Sequence, residues 1–191
     1  MNPDKQKYDW FTIPNLLSLT RLILIPVYVY IYFRAKDRYD YFLAAAILAV
    51  SCLTDLIDGK IARHFHMVSN LGKILDPLAD KATQFTLIVC LALKYTALQY
   101  LVGLFLIKEI FQLIAGIIAY RKGKMLKGAL FTGKVCTTVL FVSLILLVLI
   151  PGLPDRIVVA ITVLDMLFLL ISFLDYFTAY LFRANLFDKI N

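Results

Sequence analysis

The stretch YFLAAAILAVSCLTDLIDGKIARHFHMVSNLGKILDPLADKATQFTLIVCLAL (41–93) places two long apolar runs on either side of a short polar segment, and each run carries two aspartates. A helix rises about 1.5 Å per residue, so a run of roughly 20 apolar residues crosses a hydrocarbon core of about 30 Å. Reading outward from this pair, apolar runs bounded by charge or Pro give six candidate spans, about 15–33, 40–63, 71–94, 97–120, 129–150 and 156–182. Composition points the same way. Of 191 residues, 61% are apolar or aromatic and 17% are charged, where a soluble domain has roughly 45–50% and about 25%. The mean hydropathy of +0.81 excludes an ordinary soluble globular protein. Eight Gly and six Pro without a low-complexity tract exclude collagen-like and disordered classes. The expected fold is an all-α integral membrane protein of six transmembrane helices: an interfacial segment at 1–14, one membrane domain at 15–182 and a tail at 183–191. Tyr8, Trp10, Phe11 and Ile13 suit a headgroup-level anchor, with a frayed tail as the plain alternative.

Charge sets the expected orientation. Alternate sides of the six spans receive fourteen basic residues (Lys5, Lys7, Arg21, Lys60, Arg63, Lys73, Lys81, Arg121, Lys122, Lys124, Lys127, Lys134, Arg183 and Lys189) and five (Arg34, Lys36, Arg38, Lys94 and Arg156), with Lys108 inside the fourth span. The excess puts both termini, the 64–70 loop and the 121–128 loop in the cytoplasm. The net charge of +7 therefore implies anionic membrane lipids as partners rather than nucleic acid. Cys52, Cys90 and Cys136 lie in apolar runs without CxxC spacing and read as buried hydrophobes.

An ionisable group inside a span is costly and marks a site by default. Asp55 and Asp58 are i, i+3 on one predicted helix, and Asp76 and Asp80 are i, i+4 on the next, so each pair shares a face. Counted from the 64–70 loop, Asp58 and Asp76 lie roughly 6–8 Å deep, and Asp55 and Asp80 about 12 Å deep. Four carboxylates at matched depth repel unless some are protonated or cations lie between them. Oxygen-only ligation suits Mg²⁺ or Mn²⁺ rather than Zn²⁺, and four carboxylates have room for two ions. The plain alternative pairs the acids with Lys60, Arg63, Lys73 and Lys81. Gly59 and Gly72 would let a ligand approach the backbone, Ser69 is a candidate N-cap, and a helix N-terminus there attracts an anion. Divalent ions, helix amides, Arg63 and Lys73 together describe a phosphate or pyrophosphate site.

Asp55-Leu-Ile-Asp58-Gly59-Lys-Ile-Ala62-Arg63, eight residues, Gly72, three residues, Asp76, three residues and Asp80 resemble the full signature of the CDP-alcohol phosphotransferases, eight fixed positions across 26. The segment PNLLSLTR (14–21) and the six-span layout extend the resemblance over nearly the whole chain. The resemblance implies transfer of a phosphatidyl-type group from a CDP-linked lipid to an alcohol, with release of CMP and with Mg²⁺ or Mn²⁺ as cofactor. It implies that Asp55, Asp58 and Asp76 hold the first metal, with Asp80 completing the cluster and acting as general base. It further implies that Gly59, Arg63 and Ser69 lie along the cytidine diphosphate, joined on the CDP-lipid by Asn15, Thr20 and Gly72, and that Ala62 permits close helix packing. By depth alone, Asp55 and Asp80 are equal candidates for the base.

GKILDPLADK (72–81) and PNLLSLTR are most similar to bacterial phosphatidylglycerophosphate synthases, which implies CDP-diacylglycerol and sn-glycerol 3-phosphate as substrates and a bacterial cell membrane as location. A phosphorylated acceptor needs further cations, and Lys108, Arg121 and Lys134 are the candidates, Lys134 being read as a cation buried within a span. Snorkelling to the headgroups is the alternative for Lys134, and pairing with a carboxylate for Lys108. The chain has Lys108-Glu109 where those synthases carry Arg-Glu. Other acceptors with the same chemistry are phosphatidylglycerol, inositol phosphate and serine. A divalent-cation transporter is the alternative from another class, but the acids cluster at one end of the spans and no polar path continues outward. Six spans could also pair as a homodimer. Asp165 and Asp175 lie about 80° off a shared face at 100° per residue and read as packing partners rather than ligands.

Overall fold

The computed structural model describes residues 13–64, 72–121 and 130–180, with side chains described at 15–51, 75, 77–121 and 130–180. Six helices occupy the six predicted places: α1 (Ile13–Arg34), α2 (Arg38–His64), α3 (Gly72–Ala92), α4 (Ala97–Arg121), α5 (Phe131–Leu149) and α6 (Asp155–Thr178). No strand occurs among the described residues. The fold is all-α. Helix α1 begins at Ile13, inside the segment expected to be interfacial, and the rest of that segment and the tail lie outside the described residues. Among the described residues, α1 from Asn15, α4, α5 and α6 are long and apolar enough to cross a membrane. Helices α2 and α3, with 27 and 21 residues, have comparable length, and they carry the charges of the candidate site, Asp55, Asp58, Lys60, Arg63, Lys73, Asp76, Asp80 and Lys81.

The chain forms two compact units, Met1–Cys90 with Ile145–Gly152, and Leu91–Leu144 with Leu153–Asn191. In the first, α1 packs along α2. Its outward stripe, Leu16, Leu19, Ile23, Val27, Tyr30 and Phe33, is apolar, while its buried stripe starts with Asn15, Ser18 and Arg21 and continues as Tyr28 and Tyr32. This is the arrangement lipid demands, because hydrocarbon solvates Leu and Ile but satisfies no hydrogen bond. Ala44 and Ala45 of α2 are fully covered, and Tyr32 meets Tyr41 edge to face with centroids 5.9 Å apart. The Asp40 carboxylate accepts from the backbone N–H groups of Lys36 (2.9 Å) and Asp37 (3.3 Å), closing the turn that enters α2.

In the second unit α4 and α6 pack together. Their buried stripes, Leu98, Leu101, Phe105, Lys108, Ala115 and Ala119 against Val158, Thr162, Asp165, Leu169, Ser172 and Tyr176, follow the alternating three- and four-residue spacing of a helix seam. Phe111 closes one end against Phe173 and Phe177, with centroids 5.1 and 5.6 Å away. Helix α5 is fastened to α6 at its start: Leu130 N–H donates to Tyr176 Oη (3.2 Å), and Thr132 Oγ1 donates to Asp175 Oδ2 (2.5 Å). Gly133 lies under the Tyr176 ring, where an added Cβ would come within 2.9 Å of Cε2 and Oη. Overpacking of this kind costs about 1–3 kcal/mol, so Gly133→Ala should lower the thermal melting midpoint in detergent by several degrees. An unchanged midpoint would mean that α5 and α6 separate freely at this point.

Candidate active site on the aspartate-bearing helices

Helix α2 is unbroken through Asp55 and Asp58, and α3 is unbroken from Gly72 through Asp76 and Asp80. The i, i+3 and i, i+4 spacings are therefore spacings on regular helix, and each pair shares a helix face. Counted from the end of α2 at His64 and the start of α3 at Gly72, Asp58 and Asp76 stand about 9 and 6 Å along their helices, and Asp55 and Asp80 about 13 and 12 Å. Gly59 lies inside α2 and Gly72 opens α3. The side chains of Asp55, Asp58, Ala62, Arg63 and Asp76, and the whole of Ser69, lie outside the described residues. Pro77 interrupts the hydrogen-bond ladder of α3 between its two aspartates without ending the helix.

Asp80 is the cluster member whose contacts are described, and its partner comes from α1. The guanidinium of Arg21, at Nη1, donates to Asp80 Oδ1, with the Arg21 side chain 2% exposed and that of Asp80 36% exposed. Asn15 and Ser18 share the buried face of α1 with Arg21 at three-residue spacing. Sequence reasoning counted Arg21 only as an orientation charge and passed over Ser18. Two signals were available: polar residues at i, i+3 and i+6 in an otherwise apolar span, and the rule that an ionisable group inside a span needs a partner. Of the two α1 residues expected on the CDP-lipid, Asn15 is buried, whereas Thr20 is exposed and its hydroxyl donates to Leu16 O at 2.8 Å. Farther along, Leu24 and Tyr28 of α1, Leu48 and Ser51 of α2, and Thr83 and Thr86 of α3 line one small cavity. It lies a turn beyond Arg21, Asp55 and Asp80 on their respective helices, so the three helices converge behind the aspartates.

The cations expected to meet an acceptor phosphate lie in the second unit. Lys108 is 3% exposed and its Nζ donates to Glu109 Oε1 at 2.6 Å, the carboxylate pairing foreseen as its alternative. Arg121 is exposed at the end of α4, and the basic segment 122–129 lies outside the described residues. Lys134 corrects an expectation: it is exposed, not buried. Its neighbour Gly133 faces the Tyr176 ring, and 100° per residue turns the next side chain away from that contact. Asp175 is held by Thr132. Asp165 is 1% exposed, and the nearby hydroxyl is Ser143 of α5. Asp175 is thus a packing partner of α5, whereas neither carboxylate oxygen of Asp165 has a hydrogen-bond partner among the described residues.

Comparison with known proteins bears on what such a site does. Residues 11–178 match the family described as CDP-alcohol phosphatidyltransferase. The chain is 39% identical over 117 residues to the cardiolipin synthase (CMP-forming) / mitochondrial hydrolase fusion protein of Schizosaccharomyces pombe, covering 61% of this chain and 18% of that protein. It is 33% identical over 144 residues to a cardiolipin synthase (CMP-forming) of Streptomyces coelicolor, covering 74% of this chain and 66% of that protein. It is also 39% identical over 137 residues to the CDP-diacylglycerol--glycerol-3-phosphate 3-phosphatidyltransferase of Aquifex aeolicus, covering 71% of this chain and 73% of that protein. The chain thus spans less than two thirds of the length of the first two of these relatives. The family match begins just before α1 and ends on the last residue of α6; since it takes in every helix and all four aspartates, the chain belongs to the CDP-alcohol phosphatidyltransferase family.

Proposed function

We propose that this protein transfers a phosphatidyl group from CDP-diacylglycerol to sn-glycerol 3-phosphate, giving phosphatidylglycerol phosphate and CMP. The observation that carries the reading is the complete eight-position signature, 55–80, set on two regular helices. The choice of acceptor is supported by the resemblance of 72–81 to the glycerol-phosphate enzymes and by the match to the Aquifex protein over most of both chains. A second reading, with phosphatidylglycerol as acceptor, draws on the matches to cardiolipin synthases.

The donor set of the four aspartates is carboxylate oxygen on adjacent turns of two helices, which fits a hard divalent cation. Asp55, Asp58 and Asp76, completed by Asp80, would hold Mg²⁺ or Mn²⁺, with room for two ions. When bound, the ions neutralise the pyrophosphate and the charge that develops on the leaving CMP. The remaining work belongs to the chain. Gly59, Arg63, Ser69 and Gly72, with Asn15 from the buried face of α1, hold the cytidine diphosphate; Ala62 keeps that part of α2 slim. The acceptor oxygen attacks the lipid-linked phosphorus, the bond from that phosphorus to the CMP oxygen breaks, and Asp80 takes the hydroxyl proton. Positive charge concentrated on one side supports a cytoplasmic face for this chemistry, where soluble glycerol 3-phosphate arrives, and the resemblance to the bacterial synthases supports a bacterial membrane. Anionic lipids would surround the basic 121–128 segment, and a second copy of the chain is a further candidate partner.

The reading is tested with purified protein in detergent, Mn²⁺ and CDP-diacylglycerol, offered glycerol 3-phosphate, phosphatidylglycerol, inositol phosphate or serine in parallel. CMP release is expected with glycerol 3-phosphate. Release only with phosphatidylglycerol selects the second reading, and release with none of the four contradicts both. Lys134, exposed at the start of α5, is the cation assigned to the acceptor phosphate. Lys134→Ala should raise KM for glycerol 3-phosphate roughly tenfold, in keeping with the loss of one charge-assisted hydrogen bond, while KM for the CDP-lipid stays within a factor of two. Equal rises in both would remove Lys134 from the acceptor site.

A further inference from the structure

Arg21 is not one of the eight signature positions, yet its charged side chain is seated against the expected base. It lies eight residues into α1 and is 2% exposed. A guanidinium stays charged at any accessible pH, so at this depth it must be matched by an anion or excluded. Its match is Asp80, 59 residues away in sequence, which makes the contact a tie between α1 and α3 rather than a pairing within one helix.

The asymmetry of the pair carries the inference. Arg21 is enclosed, while Asp80 is about one third exposed. The cation is therefore enclosed by protein, while the carboxylate it holds keeps an accessible surface. A short side chain such as Asp has few rotamers, and a bond from a planar, rigid donor at one oxygen selects among them. On the reading of Asp80 as proton acceptor given above, on which this inference rests, we propose that Arg21 is a positioning residue: it fixes the orientation in which Asp80 meets the acceptor hydroxyl. Arg21 touches neither substrate nor reacting atoms and exchanges no proton. Asp80 takes the proton, and Arg21 keeps its own charge and its place. The requirement is for a fork-shaped donor, so a lysine, whose charge is a point on a flexible stem, serves only in part.

The test uses the full-length protein in detergent with Mn²⁺, measuring CMP release with saturating acceptor, the KM for CDP-diacylglycerol and the thermal melt for wild type, Arg21→Lys, Arg21→Met, Asp80→Asn and the Arg21→Met/Asp80→Asn double variant. Removing a residue that orients a catalytic group costs roughly 10–100-fold. Arg21→Met should lower kcat by that factor with KM for CDP-diacylglycerol within threefold, and Arg21→Lys should recover part of the loss. On the Asp80→Asn background, Arg21→Met should cause no further fall in kcat. Should Arg21→Met melt too low to assay, the lysine variant decides, with an intermediate kcat at an unchanged KM expected. Near-normal kcat in Arg21→Met, lysine no better than methionine, multiplicative losses in the double variant, or a loss confined to KM for the CDP-lipid would each overturn the assignment. Failure of the underlying reading looks different: wild type itself would release no CMP with any acceptor.

Discussion

Asp80→Asn should lower CMP release by roughly 10²–10⁴-fold, the range a general base contributes, while CDP-diacylglycerol still binds. Asparagine has the shape of aspartate and retains a carbonyl oxygen that can accept from Arg21, so the tie between α1 and α3 seen in the wild type has a substitute. What the variant loses is a group that can take up a proton. The measurement pairs turnover with equilibrium binding of the CDP-lipid. Depth along the helices does not separate Asp80 from Asp55, which stand about 12 and 13 Å from their helix ends. Near-normal turnover in Asp80→Asn, with loss in Asp55→Asn, would transfer the base to Asp55 and remove the rationale for Arg21. Loss of lipid binding together with turnover would leave Asp80 its place in the metal cluster and remove the ground for its role as base.

Removal of divalent cations should abolish turnover completely and lower the melting midpoint. On the proposed reading, four carboxylates brought together from two helices, at paired distances from the helix ends, would repel one another strongly where the dielectric is low unless cations lay between them. Ions that bind the folded form stabilise it by mass action, about 2.7 kcal/mol at a concentration one hundred times the dissociation constant. Excess EDTA is expected to silence the enzyme and shift the melt downward, and Mg²⁺ or Mn²⁺ to restore both. Asp58→Asn should raise the concentration of Mn²⁺ needed for half of the melt shift, a readout independent of catalysis. Full activity in excess chelator would mean that the aspartates work without metal, with protonation and basic partners relieving their repulsion instead.

Much of the fold was legible because span length is a local property: six apolar runs became six helices with ends within about four residues of expectation. The aspartate pairs were legible for the same reason, as three- and four-residue spacings on one helix. What the sequence did not reveal is which face of each span is buried. In water the apolar stripe marks the core, but α1 turns Leu16, Leu19 and Ile23 outward and Asn15, Ser18 and Arg21 inward, because in lipid the polar face is the one that needs protein. Hydrophobic periodicity is silent there, and Arg21 was counted as an orientation charge. Its bond to Asp80 spans 59 residues and has no local signature. Lys134 failed in the opposite sense: a lysine one turn inside an apolar run looked buried, but the neighbouring glycine takes the packed face under Tyr176. Lys108 was placed correctly within α4, and only the structure shows its charge directed to Glu109.

On the function proposed above, this chain joins the phosphatidyl group of CDP-diacylglycerol to glycerol 3-phosphate. The most direct measurement is the mass of the lipid formed when the purified protein, Mn²⁺ and CDP-diacylglycerol are incubated with ¹³C-labelled glycerol 3-phosphate in the presence of unlabelled phosphatidylglycerol. The predicted product carries two acyl chains, the label and a terminal phosphate, and appears in step with CMP. A four-chain lipid without label, formed in step with CMP, would contradict the claim and assign the chain to the phosphatidylglycerol-accepting chemistry instead.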